Sequence, residues 1–234
     1  MKDPKELFSS GESKNLSQIK YLITKELFNS NNCYKNNKDF EDFINKLEAK
    51  EIKKLEALAH FYYFICQPYK NSEDIREELR LVAITSLVEG MMQEVEYKDF
   101  FSWFQSIYGQ ITKIENYSKI KEEYLATFGS TRKIKTYFEK YILEDDKETL
   151  LECIKPFRDN KKFIKFDSIE KIAQFLYNMR CEFVHEARMK YLCPEGCHVS
   201  CIIVKRKPYK INIGIREFMK IFERSFIEFW QKQI

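Results

Sequence analysis

The sequence predicts a mainly α-helical protein: an up-and-down helical bundle with extra N-terminal helices and a small β-hairpin near the C-terminus. Three observations lead there. Apolar residues make up 44% and charged residues 32% of the 234 positions, enough for one sizeable core and for solvated helix faces. Only 6 Gly and 5 Pro punctuate the chain, a composition that suits helices. Apolar residues recur at three- and four-residue steps through most of the length, and only a short stretch near the C-terminus is β-branched or alternating. The expected organisation is an N-terminal helical elaboration over 1–70 packed on a bundle over 71–234, with the hairpin at about 199–213.

Charge and composition bound the function. The net charge of +4, from 40 basic and 36 acidic residues, is mildly basic and does not by itself argue for nucleic acid. No apolar run approaches the roughly 20 residues that span a bilayer, and no signal-peptide pattern opens the chain. A soluble, cytoplasmic protein with no membrane partner is therefore expected. Cysteines stand at 33, 66, 153, 181, 193, 197 and 201, an odd number best read as reduced thiols. There is no internal repeat, low-complexity segment, phosphate loop, nucleotidyltransferase pattern, serine-triad elbow or paired-histidine metal motif.

The elements follow in order. Residues 1–13 form a polar tail. Leu16, Ile19, Ile23 and Leu27 give a first helix, closed by Asn29 to Asn32. Helical spacing then runs from Phe40 and Phe43 through Leu47, Ile52, Leu55 and Ala59 to Tyr62, toward Pro68. The mixed charges of Lys46 to Glu56 read as a solvated face, and His60 as a half-buried histidine. Ser72, Glu73 and Asp74 make an N-cap and an acidic first turn for a helix through Ile75, Leu79, Val82, Ala83, Ser86 and Leu87. Its small residues Ala83, Ser86 and Gly90 admit a neighbouring helix, taken to be the one that carries Arg180.

Phe100, Phe101, Trp103, Phe104, Ile107 and Tyr108 are the densest aromatic cluster; core packing accounts for it better than base stacking. Over 112–143 Lys113, Lys119, Lys121, Arg132, Lys133, Lys135 and Lys140 alternate with apolar residues, but Glu115, Glu122, Glu123 and Glu139 interrupt any basic surface. Gly129-Ser130-Thr131 divides that stretch into two helices. A short helix is expected at 148–155, with loops around Asp145-Asp146 and Lys161-Lys162. Near the C-terminus Val199 to Val204 and Pro208 to Ile213 read as two strands, turned at Arg206-Lys207-Pro208. Ile215, Phe218, Ile221, Phe222, Phe226 and Phe229 then give a closing amphipathic helix.

The stretch Ser168 to Lys190 reads as one long helix without Pro or Gly, with Asp167 and Ser168 as N-cap candidates. Ile169, Ile172, Leu176, Met179, Phe183 and Ala187 mark its core face. At about 100° per residue, Ala173, Tyr177, Arg180, Cys181, Val184, His185 and Arg188 form a second, chemically mixed stripe suited to a partner or a substrate.

Leu176-Tyr177-x-x-Arg180-Cys181-x-x-Val184-His185-Glu186-Ala187 resembles the signature helix of the HEPN superfamily, particularly its ApeA-like branch. That signature is an Arg, four to six residues and then a His, usually after a Leu-Tyr pair. Glu78 to Glu89, ELRLVAITSLVE, resembles the small-residue helix that starts the bundle in this branch. Phe100-Phe101-x-Trp103 and the Tyr124 to Phe138 segment with Gly129 are also similar to larger members. The resemblance covers roughly residues 75–234, and departs where many nuclease members carry Asn, Asp or His after the Arg and this chain has Cys181.

The resemblance implies a metal-independent endoribonuclease that leaves a 2′,3′-cyclic phosphate, with Arg180 and His185 as catalytic pair and a homodimer as active unit. It implies a toxin or defence setting and a cognate antitoxin or nucleotidyltransferase as partner. The residue types suit that chemistry. A histidine can take or give the proton when a 2′-OH attacks its phosphate, and a permanently charged Arg can steady phosphorane oxygens.

In one ideal helix Arg180 and His185 sit about 140° and about 7.5 Å apart, too divergent to grip one phosphate, whereas two copies across a twofold axis would converge. Tyr177, Cys181, Glu182 and Arg188 are the expected supporting groove. The alternatives are that Arg180 pairs with Glu182 or Glu186 while His185 only packs, or that the helix belongs to a catalytically silent module that binds RNA, a nucleotide or a protein. No cofactor is expected. Cys193-x3-Cys197-His198-x2-Cys201 offers zinc a Cys3His set, but adjacent ligands strain a tetrahedral site, and a turn leading into the hairpin is the competing reading.

Overall fold

A computed structural model of the protein describes residues 16–31, 37–66, 77–92, 100–108, 117–158, 162–186, 188, 192 and 199–234. Helices α1 (Leu16–Ser30), α2 (Asn37–Ile44), α3 (Ala49–Cys66), α4 (Glu77–Met91), α5 (Phe100–Tyr108), α6 (Tyr117–Phe128), α7 (Ser130–Tyr141) and α8 (Glu144–Cys153) come first. Strands β1 (Ile154–Arg158) and β2 (Lys162–Phe163), helix α9 (Ile169–Glu186), strands β3 (Ser200–Val204) and β4 (Lys207–Ile211) and helix α10 (Ile215–Gln231) follow. The fold is mainly α with a small antiparallel sheet. No helix among the described residues is long and apolar enough to cross a membrane.

One apolar core runs from Leu27 in α1 to Trp230 in α10. The closing helix organises it. Ile215, Phe218, Ile221, Phe222, Phe226 and Phe229 are all buried, as their spacing requires. Three consecutive polar residues of α10 then tie it to three other helices. Glu223 accepts a hydrogen bond from the Tyr62 hydroxyl of α3 at 2.7 Å. Arg224 grips the buried Asp146 of α8 through Nε and Nη2, at 2.9 and 2.5 Å. Ser225 shares a buried hydrogen bond with the Tyr137 hydroxyl of α7 at 2.9 Å. Such bonds satisfy groups that would be costly to bury alone, and so fix the register of α10.

Helix breaks have local causes. The helical spacing from Phe40 to Tyr62 is two helices, because tight turns at Lys46 and Leu47 donate back to Phe43 and Ile44. The Glu51 carboxylate then accepts the Glu48 amide at 3.0 Å, the return half of a capping box that starts α3. Gly129 is the single residue between α6 and α7. A Cβ there would stand 2.3 Å from the Leu125 carbonyl oxygen, so only glycine fits. Gly129→Ala is expected to lower stability by about 2 kcal/mol, read as a shifted denaturant midpoint; an unchanged midpoint would show that the junction relaxes freely.

Trp103 of α5 is buried against Tyr124 and Phe128 of α6, with ring centroids 5.3 and 6.2 Å away, so this member of the aromatic cluster packs against a neighbouring helix; the side chains of Phe100, Phe101, Ile107 and Tyr108 lie outside the described residues. Asp145 and Asp146, expected in a loop, lie in the first turn of α8, where acidic groups favour the helix dipole and Arg224 holds Asp146. Residues 154–155, expected to end that helix, open β1.

The hairpin is half of a four-stranded antiparallel sheet in the order β2-β1-β4-β3. Residues 154–158 and 162–163 pair as a second hairpin, Phe157 opposite Phe163, and β1 pairs β4 with Pro156 opposite Tyr209. The turn between β3 and β4 is centred on Lys205 and Arg206, one residue earlier than the sequence suggested, because Val204 pairs with Lys207. Both turn residues are left-handed, with φ of 47° and 63°. That is the primed hairpin geometry, held here by two side chains that disfavour it by roughly 1 kcal/mol or more each. Tyr209 and Phe175 of α9 pack ring to ring at 4.6 Å, seating the inner face of the sheet on α9.

Candidate active site

Helix α9 is seated on α7, α4 and α8, with the sheet beside it. Its buried residues are Ile172, Ala173, Phe175, Leu176, Met179 and Glu182. The helix ends at Glu186 rather than at Lys190, with the Arg188 amide reaching back to the Glu182 carbonyl at 3.2 Å. Arg188 therefore lies past the helix, exposed and paired with Glu186 at 3.0 Å, and does not continue the stripe.

The mixed stripe divides in two. Its N-terminal half is internal: Ala173 is fully buried and unavailable to any partner, while Tyr177, Arg180 and Cys181 are half-buried where α4 and α7 meet α9. Its C-terminal half, Val184 and His185, is exposed. On the helical wheel Arg180 stands next to Ala173 at the edge of the core, whereas His185 stands about 140° away.

Arg180 pairs with neither Glu182 nor Glu186. Its Nη2 donates to Glu89 of α4 at 3.0 Å, with the two side chains only 20% and 19% exposed. The guanidinium also lies 5.9 Å from the Tyr177 ring centroid, a cation–π contact that fixes its plane. Nη1 and Nε make no hydrogen bond among the described residues. The result is a cation held by one edge.

Tyr177 belongs to the same cluster. Burial pushes its phenol above the ordinary 10.0, a hydrogen bond to Cys181 and the charge of Glu89 push the same way, and a hydrogen bond from Thr131 opposes them. Burial likewise raises Tyr209 and, most strongly, the fully enclosed Tyr137. A phenol whose folded pKa lies above its unfolded value contributes stability that is complete below pH 10 and is lost as pH rises through the folded value. The melting temperature is therefore expected to fall steeply above pH 10, and Tyr177→Phe to shrink that fall. A fall as steep in the variant as in the wild type across pH 9–11.5 would contradict the assignment.

Glu182, expected in the groove, faces the other way. It is 3% exposed, and its Oε1 accepts the Lys205 amide at 2.6 Å. One helical turn on, Glu186 Oε1 accepts the Lys205 Nζ at 3.1 Å, and the nearby cations hold its carboxyl below the usual range. Two carboxylates of α9 thus clamp the strained hairpin turn. Spacing did not reveal Glu89, Thr131 or Lys205; Glu89 stands 91 residues before Arg180, with no local signal.

The remaining candidates fall elsewhere. Cys193, Cys197 and His198 lie outside the described residues, and Cys201 is exposed on β3. The described residues hold no group of three or more metal-ligating side chains, and Cys153, Cys181 and Cys201 are free thiols. His60 is half-buried on α3, where burial and Lys20 push its imidazole below 6.5. A cavity of about 230 Å³ between α3, α4, α7 and α10 is lined by Lys54, Met91, Tyr141 and Trp230 and is separate from the Arg180 cluster.

No protein-family model, no curated protein and no solved structure matches this chain.

Proposed function

We propose that α9 carries the catalytic face of a metal-independent endoribonuclease of HEPN type, acting in a toxin or defence setting. One observation carries the reading: a guanidinium anchored by one edge, Arg180 on Glu89, and an exposed imidazole, His185, little more than one turn along the same helix. An imidazole can both accept and return a proton near neutral pH. In the proposed step His185 takes the proton of a ribose 2′-OH, whose oxygen attacks the adjacent phosphorus. The bond to the 5′-oxygen breaks, that oxygen leaves with a proton, and a 2′,3′-cyclic phosphate remains. The partly exposed guanidinium of Arg180 would supply positive charge to the phosphorane oxygens.

A homodimer is the active unit in this reading. Exposed Val184 beside His185 supports it, since two such helices related by a twofold axis would bring two histidines to one cleft. A cognate antitoxin or nucleotidyltransferase is the partner class to seek. A second reading has its own support. The Arg180–Glu89 pair already neutralises the guanidinium, and Cys181 follows the Arg, as suits a silent module that binds RNA, a nucleotide or a protein.

The test is cleavage of labelled single-stranded RNA in EDTA. The wild type is expected to cut, and folded His185→Ala to lose at least about a hundredfold in rate. No cleavage of any RNA, or equal cleavage by the variant, would overturn the enzyme reading in favour of the silent module.

A further inference from the structure

The face of the sheet turned away from α9 carries a second array that the reading of α9 does not use. Neighbouring strands place paired residues on one face. Tyr209, paired with Ile202 and Pro156, points inward to Phe175. The alternate set points outward: Phe157 with Phe163, Ile203 with Pro208, and Cys201 with Lys210 and Lys155. Phe157 and Phe163 are 38% and 36% exposed, and their rings meet edge to face with centroids 5.2 Å apart. Ile203 is 59% exposed.

Charge sets the sheet and its β3–β4 turn apart from the rest of the chain. Residues 154–158, 162–163 and 200–211 hold seven Lys or Arg and no Asp or Glu, in a protein whose whole net charge is +4. Lys155 is paired with Glu152 and Lys205 with Glu186. Lys162, Arg206, Lys207 and Lys210 form no ion pair with the described residues.

We propose that this outer sheet face binds single-stranded nucleic acid. Phe157 and Phe163 would stack bases, while Lys210 on the face and Arg206 at the β3–β4 turn would hold phosphates. Exposed aromatic rings on a four-stranded sheet, set among unpaired cations, give each nucleotide both of its contacts, a π-face for the base and a positive charge for the phosphate. A protein partner of acidic character would use the lysines but not the ring faces. A membrane would call for apolar side chains that stand clear of the cations, whereas here Lys155 and Lys210 lie in line with Cys201 across the middle of the face. Stacking and phosphate contact do not require a 2′-OH, so DNA and RNA are both expected to bind.

The test is fluorescence anisotropy of the full chain with a labelled single-stranded deoxyoligonucleotide across a salt series. DNA cannot undergo 2′-OH attack, so the outcome is independent of the catalytic reading of α9. Phe157→Ala/Phe163→Ala is expected to weaken binding about tenfold or more, with the melting temperature held and Phe157→Trp retaining affinity. Arg206→Gly/Lys210→Ala is expected to flatten the slope of log affinity against log salt by about 1.4. Absence of binding, or affinity unchanged in both double variants, would overturn the proposal. So would loss of binding to phosphatidylserine vesicles in those variants when the oligonucleotide never bound, which would assign the face to a membrane.

Discussion

Glu182→Ala is expected to lower the unfolding free energy by about 2–3 kcal/mol, which moves the melting temperature of a chain of this size by roughly 5–10 °C. The lost group is a buried carboxylate accepting the Lys205 amide at 2.6 Å, and that amide belongs to a turn in which Lys205 and Arg206 are both left-handed. Without the carboxylate the strain of the turn is no longer opposed, and an amide next to a buried position is left without its acceptor. Glu182→Gln keeps an oxygen in place and is expected to cost about half as much. Replacing Lys205 with Asn and Arg206 with Gly in the Glu182→Ala background would supply residues that adopt this turn readily. Partial recovery of the melting temperature is expected; no recovery would mean that the strain is not what Glu182 holds in check.

Arg180→Ala is expected to act twice. It abolishes RNA cleavage, and it leaves Glu89 largely buried without its cation, at a cost of about 3 kcal/mol. Removing both partners separates the two effects. Arg180→Ala/Glu89→Ala should regain at least about 1 kcal/mol over the single variant, since no uncompensated charge remains. Cleavage should stay lost. A double variant that recovers stability and cleavage together would make Arg180 a purely structural residue.

The helical character, the closing helix and the presence of a C-terminal hairpin were legible in the sequence, because each rests on periodicity that burial then rewards. Ile215 to Phe229 is the clearest case, with every expected core residue buried. What escaped the sequence depended on long-range pairing. Strand β1 contains Pro156 and strand β2 is two residues long, so neither announces itself locally. Strand β1 finds its second partner in β4, about fifty residues on, and β2 pairs with β1 alone among the described strands. The hairpin turn was misplaced by one residue because Lys205-Arg206 lacks the Asn-Gly signal of its geometry, and a carboxylate from another element holds it instead.

The candidate site was legible by half. A helical wheel finds a mixed stripe on α9, of which Val184 and His185 are the exposed end. The wheel cannot know that α4 delivers Glu89 to Arg180, or that Glu182 turns toward the hairpin. Both facts follow from how α9 is seated between helices on one side and a sheet on the other. Arg180 meets the helical neighbour, Glu182 meets the sheet, and His185 alone of the three is left to solvent.

The most direct test of the central claim is the chemistry of the cut ends. A short RNA that the protein cleaves would be compared, in EDTA, with the same RNA bearing a single 2′-O-methyl group at the cleaved position. Attack by the 2′-OH predicts a 2′,3′-cyclic phosphate and a 5′-hydroxyl from the first RNA and no cut at the methylated position in the second. A 5′-phosphate product, or cleavage undiminished by the methyl group, would contradict the account of Arg180 and His185.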